Sequence, residues 1–199
     1  MEANCFMQDI LKDIMKQLKK ELDKSRYEHT LGVMYTAASL AMAHSQDIEK
    51  AMLAGLLHDC AKCIPNDKKV ALCKKNSIEL TQAEESSPFL IHAKLGAFLA
   101  REKYQIEDEA ILHAIKVHTT GEPHMSMLDE IIYIADYIEP GRDKAQNLSH
   151  IRKVSFENLD EAMLLILKDT LKYLEQTSES IDIITKETYE YFLRKEENI

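Results

Sequence analysis

The sequence predicts an all-α fold of about eight helices in one domain. Three observations predict it. Apolar residues recur at three- and four-residue steps along most of the chain. Alternation of β-branched residues, the strand pattern, is nearly absent. Only five glycines and four prolines punctuate the 199 residues, so the breaks between elements are few and easy to place.

The elements follow in order. Phe6, Ile10, Leu11, Ile14, Leu18 and Leu22 form one face of a first helix. A second runs from Tyr27 to about His44, and a third from Ile48 to Asp59 with Asp47 as its N-cap. Asn66 to Lys75 form a short helix, and Thr81-Gln-Ala-Glu84 reads as a capping box. Further helices are expected over 89–103, 107–118, 127–138, 158–175 and 185–195. Gly121-Glu-Pro123 and Pro140-Gly141 interrupt the periodicity. No repeat or linker divides the chain. The expectation is a single domain over 1–199, with a core at about 26–175 and a C-terminal helical extension at 176–199, because Gln176 to Asp182 is polar and weakly periodic.

Charge narrows the function. The formal net charge is −9, from 25 basic and 34 acidic residues. This argues against binding nucleic acid or an anionic membrane through bulk charge. An anionic ligand would have to meet a locally positive site. No run approaches ~20 apolar residues, and the N-terminus lacks a secretory pattern, so a cytoplasmic setting with reduced cysteines is expected. Cys60-Ala-Lys-Cys63 is formally a CxxC pair, but it has neither a βαβ context nor a second pair. These cysteines are expected to be small packing residues.

The chemistry-bearing set is His29, the pair His58-Asp59, His92, His118 and Asp136, at intervals of 29, 34, 26 and 18 residues. Each interval suits one helical hairpin, so facing helices can aim the six side chains at one centre. Met52-Leu-Ala-Gly-Leu-Leu57 runs apolar into His58-Asp59, and Ile131-Ile-Tyr-Ile-Ala135 runs apolar into Asp136. A carboxylate in such surroundings is costly unless paired or bound to metal. Mixed imidazole and carboxylate donors suit Fe, Mn, Co or Zn. Gly32, Gly55 and Gly96 each lie one helical turn from a histidine of the set, where either a crowded site or a tight helix crossing would require them. His44, His113, His124 and His150 are read as structural or surface residues.

At this point the sequence resembles the HD-domain metal-dependent phosphohydrolases, and within them the bacterial YqeK family. The matching segments are Arg26-Tyr-Glu-His-Thr-Leu-Gly-Val33, Ala54-Gly-Leu-Leu-His-Asp-Cys-Ala-Lys62, Ala114-Ile-Lys-Val-His-Thr-Thr-Gly121 and Ile134-Ala-Asp-Tyr-Ile-Glu-Pro-Gly-Arg142, with a weaker match at Ile183 to Tyr189. The third and fourth are the most specific. The resemblance implies a helical hydrolase that cleaves diadenosine tetraphosphate (Ap4A) symmetrically to two ADP, by attack of a metal-bound hydroxide at a di-iron centre. It implies His29, His58, Asp59 and Asp136 on one metal, and Asp59, His92 and His118 on the other, with Asp59 bridging. Two divalent ions and two aspartates leave about two positive charges at the core, which answers the charge problem posed by an acidic protein.

Asp59 and Lys62 are the expected catalytic residues. Lys62, His92, Thr119, Arg142, Ser180 and Ile181 are the expected substrate contacts, and Arg26 is expected to support the site. The expected partners are a dinucleoside polyphosphate and ADP, with no nucleic acid or membrane; a homodimer is compatible with the sequence. Two alternatives stay open here: an HD phosphohydrolase acting on nucleoside monophosphates or cyclic nucleotides, and a helical binding module without turnover. Histidine ligands must be deprotonated, so metal affinity is expected to fall as pH drops through ~6.5.

Overall fold

The structure is a computed structural model, and it describes residues 2–145, 147–177 and 182–197. Among the described residues there are eleven α-helices and no strand. They are α1 (Glu2–Glu21), α2 (Lys24–Ala43), α3 (Ile48–Leu57), α4 (Asn66–Lys75), α5 (Gln82–Ser86), α6 (Ile91–Glu102), α7 (Glu109–Val117), α8 (Met127–Ile138), α9 (Leu148–Ser155), α10 (Leu159–Thr177) and α11 (Ile183–Glu197), with a 3₁₀ turn at Pro88–Leu90.

Local chemistry sets the boundaries. Asp23, Asp47 and Asp108 cap α2, α3 and α7 by accepting from backbone N–H groups of the first turn. Thr81 with Glu84, and Ser126 with Asp129, form complete capping boxes for α5 and α8. The expected bounds of α4 and α8 coincide with those found. The helix expected to end at Asp59 ends at Leu57 instead, and the chain continues in tight turns in which Cys60 N–H bonds Leu57 O at 3.1 Å and Lys62 N–H bonds Asp59 O at 2.9 Å. The helix α9 lies in a stretch where none was expected.

Helices α2, α3, α7, α8 and α10 pack together into the main core. At its middle is α8, where Ile131, Ile132, Ile134 and Ala135 are fully buried. Burying each of the larger aliphatic side chains stabilises the fold by roughly 1.5–3 kcal/mol. Gly55 serves the crossing of α3 on α2, because a Cβ there would lie 3.0 Å from the Met34 Cα. A smaller cluster of Ala61, Cys73, Ile91 and Leu95 seats α4 against α6. At the other end α11 packs on α10, with Phe192 buried and Lys195 paired to Asp160 at 2.6 Å. No helix is long and apolar enough to cross a membrane.

Candidate metal centre

Helices α3, α7 and α8 end at one place in the core. His58 and Asp59 follow the last residue of α3, His118 follows α7, and Asp136 sits in the last turn of α8. Helix C-termini carry partial negative charge and favour a cation. His92 comes from the first turn of α6 and His29 from α2, which completes the six-residue set. His58, Asp59, His92 and His118 are buried, and Asp136 is half-buried.

The ring orientations carry the chemistry. His58 Nδ1 bonds Gly55 O at 2.7 Å, His92 Nδ1 bonds Phe89 O at 2.6 Å and His118 Nδ1 bonds Ile115 O at 2.7 Å. Each acceptor is the carbonyl three residues earlier. His29 Nδ1 instead faces Glu139 Oε1 at 3.0 Å. A carbonyl or carboxylate oxygen only accepts, so all four Nδ1 atoms carry the proton and all four Nε2 atoms present a lone pair.

Those lone pairs converge on the two aspartates and on one another. His92 Nε2 lies 3.3 Å from His118 Nε2 and 3.2 Å from Asp59 Oδ1. His118 Nε2 is 3.6 Å and His58 Nε2 3.5 Å from Asp59 oxygens, and His29 Nε2 is 3.0 Å from Asp136 Oδ1. Acceptor facing acceptor at such distances is unfavourable without a cation between them. His29 Nε2, His58 Nε2 and Asp59 Oδ1 are buried without a hydrogen-bond partner, as is the neighbouring Thr30 Oγ1. Three groups bring ligand atoms within 4.8 Å of one another: His29, His58 and Asp59; His58, His118 and Asp136; and Asp59, His92 and His118. The residues present therefore fit a metal group, and a binuclear one best, because Asp59 offers one oxygen to each side.

Protonation agrees. Burial pushes the His92 imidazole down to about 4, with Lys62 and His118 adding to the effect against Asp59, so the ring is neutral at pH 7. Burial alone would push the Asp59 carboxyl up; positive charge at the imidazoles, His58 foremost, outweighs it and holds Asp59 well below the ordinary carboxylate range, a part that a bound cation takes over once the Nε2 atoms are deprotonated. Asp136 is held low in the same way, against burial, by His29 and His58 and by the Arg142 guanidinium.

Charged side chains ring the centre. Arg26 Nη1 lies 2.7 Å from Asp59 Oδ2, a supporting contact. Arg142 bonds Asp136 twice, through Nη2 to Oδ1 at 2.5 Å and through Nε to the backbone oxygen at 2.9 Å. Lys62 Nζ is 3.0 Å from His92 Nε2 and 3.7 Å from Asp59 Oδ1. The Thr119 hydroxyl lies 3.1 Å from both His92 Nε2 and His118 Nε2. Gly121 ends this turn at φ +67°, where a Cβ would meet Thr188 of α11 at 2.8 Å. Ser180 and Ile181 lie outside the described residues.

Sequence reasoning missed Glu139, a buried carboxylate that orients His29. The signal was present in two glycines. A Cβ at Gly32 would stand 2.5 Å from Glu139 Oε2, and one at Gly141 2.9 Å from Oε1. Arg152 was also missed; its guanidinium bonds the backbone oxygens of Ile138, Glu139 and Arg142 at 2.8–2.9 Å and braces the turn carrying Glu139 and Arg142. The CxxC cysteines are not activated. Burial pushes Cys60 up to about 12, and Cys63, also raised by partial burial, donates to Asp23 Oδ2 at 3.4 Å.

Two clefts flank Thr119, and the first opens from the centre itself. One, of about 810 Å³, runs between α8 and α10 and is lined by His29, Asp136, Arg142, Lys172 and three tyrosines among others. The other, of about 700 Å³, lies on the α5, α7 and α11 side and includes Lys94 and Lys116. Thr119 lines both.

The HD domain model matches residues 26–141, which carry all six residues of the set. The chain belongs to the HD-domain family. Among its relatives is a protein of Halalkalibacterium halodurans named symmetrical bis(5'-nucleosyl)-tetraphosphatase, 39% identical over 171 residues, covering 84% of this chain and 89% of the relative. The Bacillus subtilis protein of the same name is 34% identical over 168 residues, with the same two coverages. A crystal structure of a predicted HD superfamily hydrolase involved in NAD metabolism, from Clostridium acetobutylicum, is 40% identical, covers 92% of this chain and 97% of its own, and superposes with a TM-score of 0.89.

Proposed function

We propose that this protein hydrolyses diadenosine tetraphosphate symmetrically to two ADP, at a pair of divalent ions. His29, His58, Asp59 and Asp136 hold one ion; Asp59, His92 and His118 hold the other. The observation that carries the centre is the convergence of four imidazole lone pairs on buried Asp59 and half-buried Asp136, with His29 Nε2, His58 Nε2 and Asp59 Oδ1 lacking a hydrogen-bond partner. The substrate rests on the two relatives named for this reaction, each matching most of both chains. Iron is the ion the family resemblance implies, and this donor set also accommodates Mn, Co or Zn. We read residues 1–199 as one catalytic unit. Free Cys60, Cys63 and Cys73 suit a reducing, cytoplasmic setting.

Bound there, two ions supply Lewis acidity and a water of lowered pKa. The chain's own groups do the rest. Asp59 and the four histidines fix the centre, with their Nδ1–H bonds setting each ring's direction. Lys62 and the Thr119 hydroxyl stand beside Asp59 and His92, where they meet the bridging phosphates. Water adds to the β-phosphorus, the bond from that phosphorus to the bridging oxygen breaks, and Lys62 steadies the negative charge on the departing ADP. Arg142, held on Asp136, presents its remaining guanidinium edge to a phosphate oxygen.

The test is product identification from Ap4A with anaerobically prepared, iron-loaded protein. ADP as the sole nucleotide product is the expected result. ATP with AMP, or no cleavage, overturns the reading.

A further inference from the structure

The larger cleft extends well past the metal centre. One face of α10, from Ile166 through Asp169, Thr170 and Tyr173 to Gln176, lines it. At 1.5 Å per residue this face is about 15 Å long, far more than one phosphate needs. Its opposite wall is the face of α8 that carries Tyr133, Asp136 and Tyr137. Tyr133 is buried at the floor and bonded to Thr170. Tyr173 is different: it is an aromatic residue 59% exposed, lining the cleft with its ring free of the core. Lys172 adjoins it, and Asp169 stands one turn back, near the Tyr137 hydroxyl.

These groups match the parts of a nucleoside. An exposed ring offers a stacking face to a base, because every base has a π-face. A carboxylate accepts from an exocyclic amino group. We propose that the cleft between α8 and α10 is the binding site for one of the substrate's two purine nucleosides, stacked on Tyr173 with Asp169 and Tyr137 at the base edge. The inference rests on the dinucleoside reading above. It explains why two clefts meet at Thr119: a substrate with a nucleotide at each end places its phosphates over the centre and one end in each cleft.

The experiment compares Ap4A with adenosine 5'-tetraphosphate (p4A), which carries a single nucleoside, on the metal-loaded protein. Tyr173→Ala is expected to lower kcat/KM for Ap4A about tenfold, chiefly through KM, as loss of one base stack does. It should lower the value for p4A less than threefold, since that substrate's single nucleoside can take the other cleft. Tyr173→Phe, which keeps the ring, should restore Ap4A to within twofold. Equal losses on both substrates, or no loss on Ap4A, overturn the subsite. Binding of an Ap4A analogue with a methylene between the β- and γ-phosphorus separates this proposal from the reaction. Weaker binding by Tyr173→Ala supports the subsite even if the wild type fails to cleave Ap4A. Binding independent of Tyr173 rejects it whatever the turnover.

Discussion

The two sides of the centre are built differently. On the inner side, His92 and His118 are buried, and backbone carbonyls three residues earlier hold their rings. On the outer side His58 is also held by a backbone carbonyl, that of Gly55, but His29 is held by a side chain, Glu139, and Asp136 by another, Arg142. Arg152 and two glycines in turn make room for Glu139 and brace it. Backbone carbonyls cannot be mutated away, so the inner orientation is as stable as the helices that carry it. The orientation of His29 and Asp136 depends on a chain of side chains and can be loosened at several points without touching a ligand. The outer side also borders the larger cleft, which His29, Asp136 and Arg142 line.

The comparison can be broken at the residue both sides share. Asp59→Ala removes the one carboxylate that serves both, and should lower turnover by about 10³-fold or more with loss of both metal ions. Elemental analysis beside the Ap4A assay checks this; full metal content in that variant would show that the two sides do not depend on Asp59. Next in size, Glu139→Ala frees His29 to rotate or change tautomer. Metal affinity on the outer side should fall about 10–100-fold, the usual cost of losing such a partner. Glu139→Gln, whose amide oxygen still accepts from Nδ1, should recover most of it. Competition with a chelator measures both, and equal behaviour of Ala and Gln would remove the orienting role.

Gly32→Ala should act in the same direction as Glu139→Ala but more weakly, because its Cβ intrudes to 2.5 Å of Glu139 Oε2 without removing the carboxylate. Gly55→Ala should instead lower thermal stability even without metal, since its Cβ presses on the α2 backbone, and any shift of the Gly55 carbonyl also reaches His58. Melting curves with and without metal separate the two.

The smallest effect serves as a control away from both sides. Burial, then Asp160 and Asp129, pushes the Glu130 carboxyl up to about 8, against Lys195. The folded state therefore holds a proton that the unfolded state releases near pH 4.5. The stability this group contributes is complete below that pH and is lost as pH rises through about 8. Glu130→Gln should raise the melting temperature by a few degrees at pH 9 and have little effect at pH 4, with metal content unaltered. An equal shift at both values would contradict the buried-acid account.

Much of this was legible in the sequence because burial and periodicity write the same pattern. The residues of α8 alternate between core and site at helical spacing, and its expected bounds, 127–138, are those found. His58-Asp59 and Asp136 were legible because each interrupts an apolar run, where an unpaired polar group is costly, and His29, His92 and His118 because their spacing puts each on a different helix. Glu139 was not, because it touches another side chain, and no periodicity records that. The helix α9 was missed because Leu148, Ile151 and Val154 give only two turns of pattern after the Pro140-Gly141 break. Tyr137 and Tyr173 lie 36 residues apart on different helices, and only the packing of α8 beside α10 puts them on one cleft.

The central claim, two ions gathered by six side chains, is tested most directly by counting metal in protein purified without oxygen. The account predicts two divalent transition-metal ions per chain and close to none in Asp59→Ala. Wild-type protein that carries no such metal yet converts Ap4A to ADP at full rate would contradict it.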